Sequence, residues 1–353
     1  MKKMLKTAAV LAAMVMALTL GACSNDDDGG SGNGGGGGGG GSSYLKIEGN
    51  KVTGVHLNKI PSDGKIVIPD GVEEFASDWA QDLDAYFAQE DDFLLSSDKV
   101  TNISLPASLK STRNVIPDSW IDWSVQDRAL DIDIIYRGTL ADYCKTEGGY
   151  LTLPYAKSIK VGDDDLKTLE ALVIPDGVTE IANSAFGYLP NITSVTIPAS
   201  VKKIGDLAFG SVYSHNIETV TYKGRLKDWC DIIINDYLSV YAMQSIKMSD
   251  GKDLRTLTKI TADDIAGATK IGDYAFAACN ALTDVVIPES VTRIGECAFD
   301  SCSALESVTF KITDGWHEGK YNSEEDVSDA ANNAYNLRGA SGKSHPGLYR
   351  KTE

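Results

Sequence analysis

The pattern Ile271-Gly272-x-x-Ala275-Phe276-x-x-Cys279 returns as Ile294-Gly295-x-x-Ala298-Phe299-x-x-Cys302, and each matched position is displaced by 23 residues. The stretch between the two Ala-Phe pairs reads Leu282-x-x-Val285-x-Ile287-Pro288. A fixed period of a few tens of residues is typical of solenoids and propellers, in which each repeat is one structural unit.

The same frame is present in the middle of the chain and, in a weaker form, near its start. Residues 174–186 and 197–209 each combine an Ile-Pro pair with spaced apolar residues and an Ala-Phe pair, again 23 residues apart. A more divergent copy occupies residues 66–79. The repeats therefore extend over most of the chain.

The spacing within one repeat has a physical interpretation. Val285 and Ile287 alternate with period 2, as a strand with one buried face requires, and Pro288 ends the strand because it has no N–H to donate. A single coil cannot bury its apolar residues alone, whereas stacked coils bury them against their neighbours. The sequence predicts a mainly β solenoid with short helices and coils of about 23 residues.

These residues resemble the BspA-type leucine-rich repeat, whose consensus reads LxxVxIPxxVxxIGxxAFxxC. The resemblance covers about residues 66–310 and implies a right-handed leucine-rich-repeat solenoid with insertions and end caps. We expect residues 44–65 to form an N-terminal cap hairpin around Gly49-Asn50 and residues 311–353 to form a C-terminal cap, since the ends of a solenoid need a cover.

A longer repeat is also visible. Tyr136-Arg137-Gly138 parallels Tyr222-Lys223-Gly224, and the match continues to Cys144 and Cys230 at the same offset of 86 residues. Residues 162–167 and 250–255 read as equivalent hairpin tips. Such duplication is expected of an extended scaffold and is unusual for a compact enzyme.

The N-terminus predicts export and lipid attachment. Residues 1–22 combine a basic start with a short apolar run and resemble the signal peptide of bacterial lipoproteins, which places the lipid on Cys23. Residues 23–43 then form an acidic and Gly-rich tether, with eleven glycines among residues 29–43. We expect the protein to be lipid-anchored to the cell envelope, on the outer membrane and exposed at the surface.

Charge excludes some partners. The 353-residue chain has a formal net charge of -17, and loss of Lys2, Lys3 and Lys6 with the signal peptide would make it more negative. Nucleic acid and anionic lipid both attract basic surfaces, so neither is an expected partner, and membrane attachment would rest on the lipid anchor alone.

Alternation along the strands predicts a row of solvent-facing side chains, which we call the outward ladder. It comprises Val67, Ser104, Ile135, Lys160, Val173, Thr196, Thr221, Lys247, Val286 and Thr309. Apolar and β-branched residues on an exposed face suit a protein-binding surface, although β-propensity alone also favours them there. Trp120 and Trp123 lie in an irregular insertion and are further candidates for exposed binding residues.

The residues that could support chemistry form no catalytic or metal-binding motif. The four histidines stand outside any zinc or triad motif, and the Gly-rich run is a tether rather than a phosphate loop. We therefore expect no enzyme, no metal and no cofactor beyond the lipid on Cys23. Cys279 and Cys302 occupy equivalent positions, where burial as small apolar residues and a disulfide both remain open.

The resemblance implies adhesion or another protein–protein interaction, with extracellular-matrix or host-cell proteins as partners. Two alternatives remain at this point: a lipoprotein that captures a glycan or solute for a transporter, and a structural envelope protein. The identity of the ligand does not follow from the fold.

Overall fold

A computed structural model describes residues 44–56, 61–81, 100–117, 120, 130–148, 155–187, 189–210, 217–235, 243–313, 316–318 and 348–350. Over the first half of the chain the strands are β1 (Leu45–Glu48), β2 (Lys51–Val55), β3 (Lys65–Val67), β4 (Glu74–Phe75), β5 (Asn102–Leu105), β6 (Asp133–Tyr136), β7 (Ser158–Val161), β8 (Asp164–Asp165), β9 (Ala171–Val173) and β10 (Glu180–Ile181). Over the second half they are β11 (Ser194–Ile197), β12 (Lys203–Ile204), β13 (Thr219–Tyr222), β14 (Ile233–Ile234), β15 (Ser245–Met248), β16 (Lys259–Ile260), β17 (Lys270–Ile271), β18 (Asp284–Ile287), β19 (Arg293–Ile294), β20 (Ser307–Phe310), β21 (Trp316–Glu318) and β22 (Leu348–Arg350). Helix α1 spans Leu140–Tyr143 and helix α2 spans Leu226–Trp229.

The strands form two stacks, as successive coils of a solenoid must. The front stack contains the parallel runs β3-β5-β6-β7, β9-β11-β13-β15 and β16-β18-β20. The back stack contains the parallel runs β2-β4, β10-β12-β14 and β17-β19. The predicted mainly β solenoid with short helices is confirmed.

Strand ends follow the sequence signal. Strand β11 ends at Ile197 and β18 ends at Ile287, in each case directly before proline. The backbone then turns, and Val201 and Val291 donate their N–H groups to the carbonyls of Pro198 and Pro288 at 3.2 Å. Proline thus closes the front strand and opens the turn that leads to the back stack.

The Ala-Phe pairs form the centre of the core. Phe276 and Phe299 stack with ring centroids 5.3 Å apart, and the Phe186 and Phe209 rings stack at 6.1 Å. The repeat frame therefore places rings from neighbouring coils face to face in the interior, which explains why one coil alone would not be stable.

Close contact between coils explains the Gly of the Ile-Gly pair. A Cβ added at Gly205 would lie 2.5 Å from the backbone nitrogen of Asn183 in the preceding coil, and one at Gly272 would lie 2.3 Å from the carbonyl oxygen of Ile232. Both distances are shorter than any ordinary carbon contact, so only glycine fits where the coils approach each other.

Antiparallel strands lie at both ends of the solenoid. Strands β1 and β2 form a hairpin that turns at Gly49 and Asn50, and β2 then pairs with β4. At the other end β22 pairs antiparallel with β19 and with β21, and the Trp316 ring packs against Phe310 with centroids 5.1 Å apart. Within the described part of the chain, no helix is long and apolar enough to span a bilayer.

Candidate functional site

The ten residues of the outward ladder fall into register on the front stack. Val67, Ser104, Ile135 and Lys160 are paired in one sheet, Val173, Thr196, Thr221 and Lys247 in the next, and Val286 with Thr309 in the third. Neighbouring strands of a sheet lie about 4.8 Å apart, so each row is a continuous line of side chains.

Every residue of the ladder is partly or fully exposed, while its neighbours along the strand are buried. Val67 and Val173 keep 45% and 54% of their surface, whereas Ile66 and Ile174 keep 2% and 0%. The alternation therefore predicts correctly which side chains face solvent. Their role in binding stays a prediction.

A second row, two residues earlier on each strand, also faces solvent and was missed by the sequence reasoning. The middle sheet contributes Ala171, Ser194, Thr219 and Ser245 to this row, and together with Val173, Thr196, Thr221 and Lys247 they form what we call the middle face. The same period-2 alternation could have identified them. Lys247 is the sole charged side chain among these eight residues, although 24% of the whole chain is charged.

Hairpins interrupt the front stack at equivalent places. Lys160 pairs with Asp165 in the antiparallel strand β8, and Lys247 forms the corresponding bridge with Asp253. The Asp165 carboxylate accepts from the backbone N–H groups of Ile159 at 3.0 Å and Lys167 at 3.1 Å. The predicted hairpin tips are thus present, and each separates one sheet from the next.

Two ion pairs lie just beyond the C-terminal ends of front strands, and their cations are equivalent residues of the two long repeats. The Arg137 guanidinium lies 3.0 Å from the Asp70 carboxylate, and the Lys223 ammonium lies 3.1 Å from that of Asp176. In both pairs the aspartate follows an Ile-Pro pair and the cation precedes a glycine. The Lys223–Asp176 pair borders the middle face, whereas the Arg137–Asp70 pair borders the preceding sheet.

Trp120 is not an exposed binding residue, and that prediction is wrong. Only 1% of its surface is exposed, and its ring lies 6.0 Å from the ring of Trp79. The Trp79 indole N–H in turn donates to the Asn114 carbonyl at 2.8 Å. Trp123 and Cys23 lie outside the described residues.

Cys144, Cys230, Cys279 and Cys302 are buried thiols outside any disulfide, and Cys297 is buried as well. Burial raises the pKa of the Cys144 thiol to about 12 and also raises that of Cys230, so neither forms a ready nucleophile at neutral pH. Over the described residues, no group of three or more His, Cys, Asp or Glu side chains is placed to hold a metal ion.

Comparisons with known proteins match the repeat pattern. Residues 164–250 and 269–314 match the family model for the BspA type leucine-rich repeat region, in six copies. No curated protein sequence matches the chain.

Similar solved structures include three bacterial leucine-rich repeat proteins. A leucine-rich cell surface protein of Faecalibacterium prausnitzii is 15% identical, with 76% of this chain and 93% of that chain aligned and a TM-score of 0.26. The leucine-rich repeat protein of T. pallidum is 26% identical over 39% of this chain and 57% of that chain, with a TM-score of 0.20. A leucine-rich repeat protein from Eubacterium ventriosum is 13% identical over 72% of this chain and 73% of that chain, with a TM-score of 0.26.

Proposed function

Since residues 164–250 and 269–314 are BspA-type leucine-rich repeats, we propose that the protein is a membrane-anchored bacterial surface lipoprotein whose solenoid binds other proteins. Its role would be adhesion to proteins of a host or a neighbouring cell, including those of the extracellular matrix. Binding would need no catalytic group and no cofactor besides the lipid on Cys23.

The observation that carries this proposal is the middle face. It presents hydroxyl and β-branched side chains in two registered rows, with buried strand residues fixing each position from below. Side chains held by a rigid sheet lose little freedom when a partner binds, and the scarcity of charge keeps the desolvation penalty low. Depletion of charged residues is a feature of the buried cores of protein–protein interfaces.

Anchoring follows from the N-terminal sequence. A lipid on Cys23 would hold the solenoid at the membrane, and the tether of residues 23–43 would let it move away from the surface. Capture of a glycan or solute is less well supported, because Trp120, an aromatic candidate for such a site, is buried.

Location and adhesion are tested separately. Protease treatment of intact cells removes a protein on the outer surface and leaves a periplasmic one until the envelope is broken. Loss from intact cells is the expected result. Protection would contradict surface display and would favour an envelope scaffold or a transport accessory.

Adhesion is tested with the purified chain on immobilised matrix and cell-surface proteins. The double variant Thr196→Glu/Thr221→Glu places two negative charges on the middle face, where Lys247 beside Thr221 is the single cation, and should weaken binding at least about tenfold. Thr179→Glu is a control for adding negative charge away from the middle face, because Thr179 is exposed and directly precedes β10 in the back stack. Equal binding by both variants would exclude the middle face. A wild-type chain that binds none of these proteins would favour a structural envelope role.

A further inference from the structure

The side chains of Cys279 and Cys302 are buried in the interior of the last two Ala-Phe coils. Phe276 and Phe299 stack directly beside them, with the ring planes only 14° apart. The Phe276 carbonyl oxygen accepts from the Cys279 N–H at 3.2 Å and lies 3.1 Å from the Cys302 sulphur. The Cys302 side chain therefore reaches into the turn that carries Cys279.

Arg255 brings a positive charge to the same place. Its guanidinium donates to the carbonyls of Met243 at 2.9 Å and Ala277 at 2.7 Å, which fixes the group beside Cys279. A hydrogen bond from the Cys302 thiol lowers the pKa of the Cys279 thiol against the opposing effect of burial, and Arg255 lowers it further. The same hydrogen bond, together with burial, raises the pKa of Cys302.

The preceding long repeat has neither the thiol nor the guanidinium. Lys167 is the residue equivalent to Arg255. Leu189 is the residue equivalent to Cys279, because each comes three residues after the Phe of its Ala-Phe pair. The Lys167 ammonium donates to the Ala156 carbonyl, the counterpart of the Met243 contact. Leucine is thus accepted at this position of the frame, so packing alone does not require a cysteine there.

We propose that Cys279 and Cys302 are a redox pair that forms an intramolecular disulfide in the exported protein. The oxidising compartment rests on the proposed function, whereas the pairing rests on the geometry alone. The bond would link the last two Ala-Phe coils, which lie next to the C-terminal cap.

The oxidant would be a disulfide, supplied by a thiol oxidase or by a small disulfide such as oxidised glutathione. The Cys279 thiolate attacks one sulphur of that disulfide and forms a mixed disulfide, and the first oxidant thiol leaves. Cys302 then loses its proton, attacks the Cys279 sulphur and releases the second thiol. The two cysteines lose two hydrogen atoms in total, and the oxidant becomes two thiols. Because both sulphurs are buried, the exchange occurs before the last coil closes or when it opens.

The test uses the full chain isolated from the cell envelope. The chain is denatured without reductant while iodoacetamide alkylates every free thiol. Peptide mapping should show Cys279 linked to Cys302, with Cys144 and Cys230 alkylated. Cleavage at Arg293 separates the peptides of the pair. Cys297→Ala should keep the link, whereas Cys302→Ala should abolish it.

A second arm treats the purified, folded chain with oxidised glutathione. If the Cys279–Cys302 disulfide forms here, the pairing is supported. If the protein from cells is reduced at the same time, the proposed oxidising compartment is wrong. Under the same treatment Cys302→Ala should retain glutathione on Cys279. Complete alkylation of Cys279 and Cys302 after glutathione treatment, or a link to Cys297 instead, would overturn the proposal.

Discussion

The hydroxyl of Tyr44 satisfies both backbone polar groups of Val67: it accepts from the N–H at 2.7 Å and donates to the C=O at 3.3 Å. Val67 is the first residue of the outward ladder and belongs to β3, the first strand of the front stack. An edge strand with free N–H and C=O groups is a template on which another chain can add a strand. Tyr44 therefore covers the position that an added strand would use.

Tyr44→Phe should remove this cover. The variant loses two hydrogen bonds to an exposed strand, so the free energy of unfolding should fall by about 0.5–1.5 kcal/mol. Hydrogen exchange at the Val67 amide should become faster, and self-association should increase at high concentration. Unchanged exchange at Val67 would show that the strand edge is protected by another contact.

Gly205→Ala should destabilise the solenoid because its new Cβ would lie 2.5 Å from both the backbone nitrogen and the side-chain oxygen of Asn183. We expect a loss of about 2 kcal/mol or more in urea unfolding, since both coils must move apart. Ala182 holds the equivalent position one coil earlier and provides the matched control. Ala182→Gly should cost only about 1 kcal/mol or less. Equal losses in the two variants would contradict the close-contact explanation.

The repeat frame made most of this fold predictable. Positions such as Ile294 and Phe299 recur every 23 residues, and the structure buries them as the frame requires. The backbone conformation of individual residues was harder to predict from the sequence. Leu207 and Tyr274 have φ values of 53° and 57°, a left-handed conformation that their residue types do not signal. Tyr274 also donates its N–H to the Glu296 carbonyl of the next coil at 3.0 Å, a contact that only the three-dimensional structure shows.

Prediction of which side chains are exposed succeeded where the pattern is periodic and failed where it is not. Alternation placed Thr196 and Thr221 correctly on the solvent side. Trp120 lies in a segment without a period, and its partner Trp79 is 41 residues away in sequence, so no local signal revealed its burial. Likewise, the Arg255 contact with Cys279 depends on a hairpin that returns to the core, which spacing alone does not show.

Helix α1 has a side-chain N-cap that helix α2 lacks, although the Asp228 carboxylate of α2 accepts from the Arg225 N–H at 3.0 Å. The Thr139 hydroxyl accepts from the Asp142 N–H at 3.2 Å, and the Asp142 carboxylate accepts from the Thr139 N–H at 3.1 Å. Thr139→Ala should lower the free energy of unfolding by about 1 kcal/mol. Arg225 occupies the corresponding cap of α2 without a side-chain hydrogen bond, so Arg225→Ala should have a much smaller effect. Urea unfolding of both variants measures the difference.

The same cap predicts a pH dependence. Hydrogen bonds from the Thr139 side chain and backbone hold the pKa of Asp142 below its ordinary value of 3.8. A carboxyl group with a lowered pKa in the folded state stabilises the fold fully above its unfolded pKa. That contribution is lost as the pH falls below 3.8 and through the folded pKa. Asp142→Asn should therefore flatten the stability curve in this acidic range and leave its slope near neutral pH unchanged. A curve parallel to that of the wild type would exclude the contribution.

Tyr136 and Tyr222 are repeat equivalents whose hydroxyls have different surroundings. The Tyr136 hydroxyl donates to the Ala107 carbonyl at 3.2 Å and lies 3.5 Å from the Thr146 hydroxyl. At the position of Thr146 the later repeat has Ile232, and the buried Tyr222 hydroxyl finds no hydrogen-bond partner among the described residues. The two tyrosines therefore separate the contribution of the ring from that of the hydroxyl.

Tyr136→Phe should lower the free energy of unfolding by about 0.5–1.5 kcal/mol, because it removes a satisfied hydrogen bond. Tyr222→Phe should leave stability unchanged or raise it, because it removes a buried hydroxyl whose desolvation is not compensated. Both variants keep the ring and its edge contact with Tyr143 or Trp229, so packing is matched. Chemical denaturation of the two single variants decides the matter. An equal loss in both would mean that the Tyr222 hydroxyl is satisfied in solution by a bound water, and that the replacement of Thr146 by Ile232 created a water site instead of an unpaired group.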